Sequence, residues 1–524
     1  MVNEAPPRAG RREWIGLAVI ALPCLLYAMD LTVLHLAVPR LSAELRPSSA
    51  ELLWIIDIYG FLVAGWLITM GTLGDRIGRR RVLMLGAALF GAASVFAAFS
   101  TSPEMLIVAR AVLGVAGATL APSTLSLIFN MFVDPKQRSL AIGVWAASFS
   151  AGAAVGPLLG GVLLEFFWWG SVFLLAVPVM ALLLALGPFL LPEYRDPEAG
   201  RLDIRSATMS LAAVLAIIYG LKAIAQDGVS WLPVAAILGG IVLGVWFLRR
   251  QRRLEDPLID VRLFRVRAFS ASLATYTLGI LVAFGTFVFI AQYLQLVLEL
   301  TPLHAGLWTL PSALGFVGGS MLGPILARRF LSAHVMAWGI GLSAVGLGMV
   351  TLITPGSGLG IIVTGSFVMD VGLALMIPLA TDLIVGTAPP ERAGAASGIS
   401  ETGAEFGGAV GIAIMGTIGT AVYRSGLFDV VPPQVPPAAV ETARDTLAEA
   451  LVVASRLPEG PRELLIDAAR VAFTQGLRLT AAIGAVLSLV LVGFVLATLR
   501  HARLGARERA TDTAVEPEPV VSGS

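Results

Sequence analysis

The sequence predicts an all-α integral membrane protein of two pseudo-symmetric six-helix bundles plus two inserted helices, about 14 transmembrane spans in all. Three observations predict it. The 524-residue chain is 57% hydrophobic and 14% charged, whereas soluble proteins carry about 25% charged residues. Its mean hydropathy is +0.85, and apolar runs of the roughly 20 residues needed to cross a bilayer recur along its length. Motifs in the first half also return, degraded, in the second, as expected of a transporter fold built from repeats.

Residues 1–13 read as a cytoplasmic leader, with no small-residue cleavage site after them. An N-terminal bundle over 14–192 takes the runs 14–38, 52–71, 81–100, 104–129, 139–165 and 169–190. A linker over 193–266 carries two extra spans, 206–225 and 231–249. The C-terminal bundle, 267–500, takes 267–298, 303–327, 333–354, 359–386, 395–422 and 476–499. Within it, 424–475 is the long outer segment. Pro432, Pro433, Pro436 and Pro437 introduce two expected amphipathic helices, Ala438 to Arg456 and Arg462 to Thr474, hinged at Leu457–Pro461. The acidic, proline-containing tail over 501–524 has the composition of a disordered segment.

Arginines orient the chain. With the N-terminus inside, the inner segments hold Arg8, Arg11 and Arg12, then Arg76 and Arg79 to Arg81, Lys136 and Arg138, and seven arginines between Arg249 and Arg267. Among the short outer loops only the first is basic, with Arg40 and Arg46. That asymmetry places both termini in the cytoplasm. Lys136 and Lys222 are the only lysines, a bias that reads as genome composition.

The repeat is legible in pairs. Pro135-Lys-Gln-Arg138, Gly143 and Gly152-x3-Gly156-Pro157-x2-Gly160-Gly161 are echoed by Pro389-Pro-Glu-Arg392, Gly398 and Gly403-x3-Gly407-Gly408-x2-Gly411. Gly71-Thr-Leu-Gly-Asp75-Arg76-Ile-Gly78-Arg79-Arg80 is echoed by Gly323-Pro-Ile-Leu-Ala-Arg328-Arg329. Glycines at four-residue spacing bare one helix face for close approach, and Pro157 removes a backbone donor and offers a bend. Such a helix suits two bundles that rock against each other. Close packing alone would explain the glycines, but not the other motifs around them.

Ionisable residues inside lipid are functional candidates by default, because an Asp at a helix centre costs about 2.5–3.5 kcal/mol on insertion scales. The first span carries Asp30, Thr32 and His35, and the second places Asp57 one turn from Trp54 and near Tyr59. Arg110 in the fourth span needs a counter-charge, and Asp30 is the natural one. Protonating Asp30 would release Arg110, making the pair a conformational input; a permanent structural ion pair is the alternative. Asp57 reads as a second proton site or as a headgroup-level acid. Glu401 and Glu405 stand at i, i+4 and so face the same way. With aromatic neighbours they suit a lipophilic cation, and Asp370 adds a further carboxylate or packs against a neighbouring span.

These residues resemble the fourteen-span drug:proton antiporters of the major facilitator superfamily, over nearly the whole chain. Gly71, Asp75, Arg76, Gly78 and Arg79 resemble the superfamily's loop motif, which implies a cytoplasmic charge latch. Gly152, Gly156, Pro157, Gly160 and Gly161 resemble the antiporter motif of the fifth span. Asp30, Thr32 and Pro39 resemble the first-span motif, Arg110 with Gly114 the fourth-span motif, and Gln292-Tyr293-Leu-Gln295 a further familiar run. The acids and the long outer segment look most like exporters of quaternary ammonium compounds. The resemblance implies a bacterial plasma-membrane antiporter that imports protons and exports lipophilic cationic drugs, antiseptics and dyes. It implies Asp30, Asp57 and Arg110 in proton coupling, and Glu401, Glu405, Asp370, Tyr59 and Trp54 at the substrate. Leu113 departs from the fourth-span motif, which usually has glutamine there. Phe316 stands in the tenth-span segment where some relatives carry an acid, which weighs against long divalent cations.

Other classes fit less well. No phosphate-cradling loop points to ATP, so the proton gradient is the expected energy source and no cofactor is expected. Cys24 is the sole cysteine and the four histidines do not cluster, so neither an intramolecular disulfide nor a metal site is expected. No nucleophile–base set suggests an enzyme, no nucleic-acid partner is expected, and a monomer is. A lipid or cell-envelope precursor exporter and a proton-coupled nutrient importer remain the alternatives.

Overall fold

In hydrocarbon no water satisfies a peptide group, so each span must close its own backbone bonds as a helix. The computed structural model describes residues 8–195, 202–227, 229–254, 257–354, 356–444 and 446–500. It omits a few side chains within helices, among them those of Thr32, His35, Pro39 and Pro157. The motif roles expected of those four side chains, and the expected tail, lie outside the described residues.

The first helices are α1 (Arg11–Leu45), α2 (Ser49–Ile77), α3 (Arg79–Ala98), α4 (Pro103–Met131), α5 (Pro135–Phe166), α6 (Ser171–Leu174) and α7 (Ala176–Leu190). Next come α8 (Ile204–Asp227) and α9 (Trp231–Gln251). The rest are α10 (Arg267–Gln292), α11 (Pro302–Leu326), α12 (Ser332–Val350), α13 (Leu359–Thr387), α14 (Ala393–Val430), α15 (Pro437–Ala443), α16 (Leu447–Ala454) and α17 (Glu459–Leu499). Among the described residues 14 segments are long and apolar enough to span a membrane, the sixth formed by α6 and α7 together.

Polar residues fix the starts. Ser48 accepts from the Glu51 amide and Glu51 accepts from the Ser48 amide at 2.7 Å, closing a capping box before α2. Asp134 caps α5 and Thr301 caps α11, each with proline in the first turn. Tyr293–Val297 forms a π turn beyond α10, and Glu299 adopts φ 56°. The chain therefore reverses sharply where the hydropathy is barely interrupted.

Packing repeats between the halves. In the first, α1 lies on α5, α2 on α4, and α3 on α4 and α7; in the second, α10 lies on α14, α11 on α13, and α12 on α13 and α17. The contacts between halves obey the same symmetry, α5 against α11 and α2 against α14. A Cβ on Gly71 would collide with the Gly394 carbonyl, and one on Gly143 with the Ser320 carbonyl. Gly398 would meet the Leu67 carbonyl at 2.8 Å. All these contacts lie toward the arginine-rich ends of the helices, so the halves are closed together on that face.

The extra helices stand outside the repeat, and the first of them, α8, packs on both α2 and α14. Leu211 and Leu215 of α8 cover Gly65 of α2. Val214 and Ile218 cluster with Ala64 of α2 and with Phe406 of α14. Asp203 and Ser206 bind Arg250, and Ser206 also accepts from Gln251, which ties α8 to α9. One expectation changes: the segment over 424–475 is not two separate helices either side of a hinge. Its first limb breaks into α15 and α16, and its second is the start of α17, continuous with the last span. Tyr423 of α14 donates to the Ala443 carbonyl at 2.9 Å and holds the first limb down.

Candidate functional site

Three polar clusters lie within the apolar interior. In the first, Arg110 of α4 is 1% exposed and donates to Asp30 of α1. Its Nε donates to the Ile55 carbonyl at 3.1 Å. Its guanidinium lies 4.7 Å from the ring centroid of Tyr59, a cation–π contact in a desolvated setting. The structure thus brings Asp30 and Arg110 together as expected. Tyr59, expected at the substrate, instead forms the floor under Arg110, because its position on α2 turns it toward α4. A cavity of about 10 Å³ adjoins Asp30 between Ser94, Val172 and Phe173, room for a single water.

In the second cluster Asp57 of α2 accepts from Lys222 of α8 at 2.5 Å. The Lys222 ammonium also sits 4.6 Å from the Phe61 ring centroid. Trp54 is 48% exposed and its ring contact is with Phe61 at 6.4 Å. It therefore flanks this pair, one residue removed from it, and is not seen against Glu401 or Glu405. Lys222 is not among the residues expected at a site, although an ammonium inside the run 206–225 obeys the same rule that singles out the acids.

The third cluster surrounds Glu401 and Glu405 of α14. Tyr27 of α1 donates to Glu405 at 3.1 Å, across the two halves. Glu401 Oε1 is buried without a hydrogen-bond partner among the described residues. Tyr276 of α10 is buried, and its neighbour Thr277 lies against Gly403 and Gly407 of α14. Tyr27 meets Phe149 edge-on at 5.6 Å, and Phe149 meets Trp145 at 4.8 Å. Trp145 donates to Thr124 at 3.0 Å. The result is a carboxylate pair facing an aromatic wall drawn from α1, α5 and α10. Asp370, expected beside these glutamates, is instead partnered by Ser312 of α11. It reads as the packing acid that was the alternative for it.

A latch closes the arginine-rich face. Asp75 accepts from the Gly394 and Ala395 amides at 3.0 and 2.9 Å, so an N-half carboxylate occupies the positive N-terminus of α14. Arg79, wholly buried, donates to Asp75 at 2.9 Å and to the Pro390 carbonyl at 2.6 Å. Gly78 holds φ 119° between α2 and α3, a conformation that favours glycine; Arg76 lies beside it, part-exposed. A second bond between halves runs from Arg138 of α5 to Asp382 of α13 at 3.0 Å. Asp382 was missed too, although it lies inside the run 359–386.

The fifth-span glycines act differently from expectation in this closed state. A Cβ on Gly152 would overlap the Leu25 carbonyl of α1, and one on Gly160 would meet Val33 at 3.2 Å. Gly156 is buried, whereas Gly161 has open space beside it. The motif therefore seats α5 on α1 within one half. Its echo does the same on the other side, Gly407 and Gly411 meeting the Thr277 and Leu281 carbonyls of α10.

Comparison with known proteins agrees with this architecture. The model of the Major Facilitator Superfamily matches residues 20–412. The multidrug efflux pump LfrA of Mycolicibacterium smegmatis is 44% identical over 488 residues, covering 93% of this chain and 96% of LfrA. The chain belongs to the Major Facilitator Superfamily, in its drug:proton antiporter family. The methyl viologen resistance protein SmvA of Salmonella typhimurium is 37% identical, covering 92% of this chain and 97% of that one. Among solved structures, the human organic anion transporter MFSD10 matches with TM-score 0.58 at 17% identity, over 92% of this chain and 99% of that one. At that identity it shows the major facilitator fold alone. As a member of this superfamily with efflux relatives, the chain is a multi-span membrane transporter for drug efflux.

The glycine geometry gives a first test. Gly152→Leu should reach the membrane at normal abundance, since it raises hydropathy, yet lose nearly all transport because α1 and α5 can no longer touch. Gly161→Leu, with open space beside it, should cost far less. Equal transport by the two variants, measured as dye efflux from cells, would remove the close-contact reading.

Proposed function

We propose that the chain is a proton-coupled antiporter that exports lipophilic cations across the bacterial plasma membrane by alternating access, with both termini cytoplasmic. The arginine-rich face is then the cytoplasmic one, and the contacts described above represent closure on that side. The observation that carries the substrate class is the buried, unpartnered Glu401 oxygen beside Glu405 within an aromatic wall. Carboxylates supply the counter-charge, and ring faces supply cation–π attraction without a competing hydrogen-bond demand.

Coupling follows from position. Tyr27 bonds Glu405 and lies 6.1 Å from Tyr59, which lies under Arg110. The cargo acids and the Asp30–Arg110 pair are thus joined by adjoining aromatic side chains. A proton on Asp30 frees Arg110 to rearrange, and that movement reaches the cargo site through Tyr59 and Tyr27.

The test is uptake of a fluorescent lipophilic cation into inverted vesicles, with and without an imposed pH gradient. Glu401→Gln with Glu405→Gln should weaken binding of monovalent lipophilic cations by about 1–3 kcal/mol, the scale of a desolvated charge contact. Neutral hydrophobic solutes should be little affected. Equal losses for charged and neutral solutes would reassign the pair to structure, and uptake indifferent to the gradient would remove the coupling.

A further inference from the structure

Lys222 belongs to neither repeat, yet it stands where both meet. Its helix, α8, packs on α2 of one half and α14 of the other. Its ammonium is 2.5 Å from Asp57 of α2, and Ile218, one turn before it, packs with Phe406 of α14, the neighbour of Glu405. Phe61 gives it a ring face at 4.6 Å. The side chain is 35% exposed and the Asp57 carboxylate 19%. Lysine is a flexible point charge, so its ammonium can exchange partners. Its long flexible stem lets the charge move without moving the helix. An ammonium held by carboxylate and ring face already makes the two contacts expected of a cationic cargo.

We infer that Lys222 is a tethered internal cation that partly neutralises the acids of the transport site and so sets how much positive charge a cargo can bring. The inference rests on the cation-export reading above and deepens it. With Lys222 in place, one of the three carboxylates of Asp57, Glu401 and Glu405 is already balanced, and less negative charge remains for a cargo to meet. Without it, the same acids would accommodate one further cargo charge. The inserted helices then have a chemical role: they carry into a duplicated scaffold a charge that neither repeat contains.

The full-length protein in lipid nanodiscs tests this by calorimetric titration with tetraphenylphosphonium, a monovalent cation, and methyl viologen, a divalent one. Lys222→Met should raise methyl viologen affinity at least tenfold relative to tetraphenylphosphonium, while Lys222→Arg should keep the wild-type ratio. Asp57→Asn should weaken both cations, because Lys222 then competes undivided for Glu405, and adding Lys222→Met should reverse that loss. An unchanged affinity ratio in Lys222→Met overturns the inference; should that variant not reach the membrane, Lys222→Gln gives the same comparison. If the wild-type protein binds neither probe, the cation-export reading fails and this inference falls with it. If it binds tetraphenylphosphonium while no Lys222 variant moves the ratio, only the role of Lys222 is lost.

Discussion

Asp30→Asn should abolish concentrative export while leaving a folded protein that still binds its cargo. Asparagine keeps the shape and one acceptor for Arg110 but cannot exchange between charged and neutral forms. Arg110 retains the Ile55 carbonyl and the Tyr59 ring, which limits the penalty for its lost counter-charge. In inverted vesicles, gradient-driven accumulation should fall to background, whereas downhill exchange of labelled substrate should continue. Asp30→Glu should recover part of the driven transport. Accumulation by Asp30→Asn at the wild-type rate would remove the proton role of this residue.

The largest conformational effect should come from Asp382→Ala. It leaves Arg138 buried on the closed face without its carboxylate, over the Phe129 ring at 4.9 Å. Breaking a buried pair by removing one member costs about 3–5 kcal/mol. That cost falls on the closed state alone, because the two residues belong to different halves. At about 1.4 kcal/mol per tenfold, that moves the equilibrium toward the open state by roughly two to three and a half orders of magnitude, so the variant should populate the open face measurably. Spin labels at Val133 and Phe330, 50% and 47% exposed, would report the change as a lengthened distance distribution in a Cys24→Ser background. Arg138→Met combined with Asp382→Leu should restore the short distance. An unaltered distribution in Asp382→Ala would mean that the Asp75 latch holds the face unaided.

What the sequence revealed and what it hid divide along a physical line. Hydropathy fixes how many helices cross a bilayer, and a duplicated motif fixes which correspond, so the spans and the two-fold plan were legible. Asp30 with Arg110 was also legible, because a lone arginine in lipid requires an acid and few were on offer. Rotation about each helix axis was not. Tyr59 and Trp54 lie on α2 close to Asp57, yet one packs under Arg110 and the other flanks Phe61. Nothing in apolar runs this uniform indicates which face a side chain takes. Pairs distant in the chain were hidden for the same reason, Lys222 with Asp57 and Arg138 with Asp382 above all. The fifth-span glycines were legible as a place of close approach but their partner was not, since spacing records that a neighbour comes near and not which one.

The last helix has a mechanical consequence. At 41 unbroken residues, α17 is about 60 Å long, roughly twice the hydrocarbon thickness. At that length its first turns extend past the bilayer and adjoin α16, so the surface at that end is rigidly geared to the bundle. A tilt of about 10° about the bilayer centre would sweep the exposed end through about 7 Å. A binder raised against the turn between α16 and α17 would therefore grip the long arm of a lever, and could arrest the transport cycle without entering the cavity.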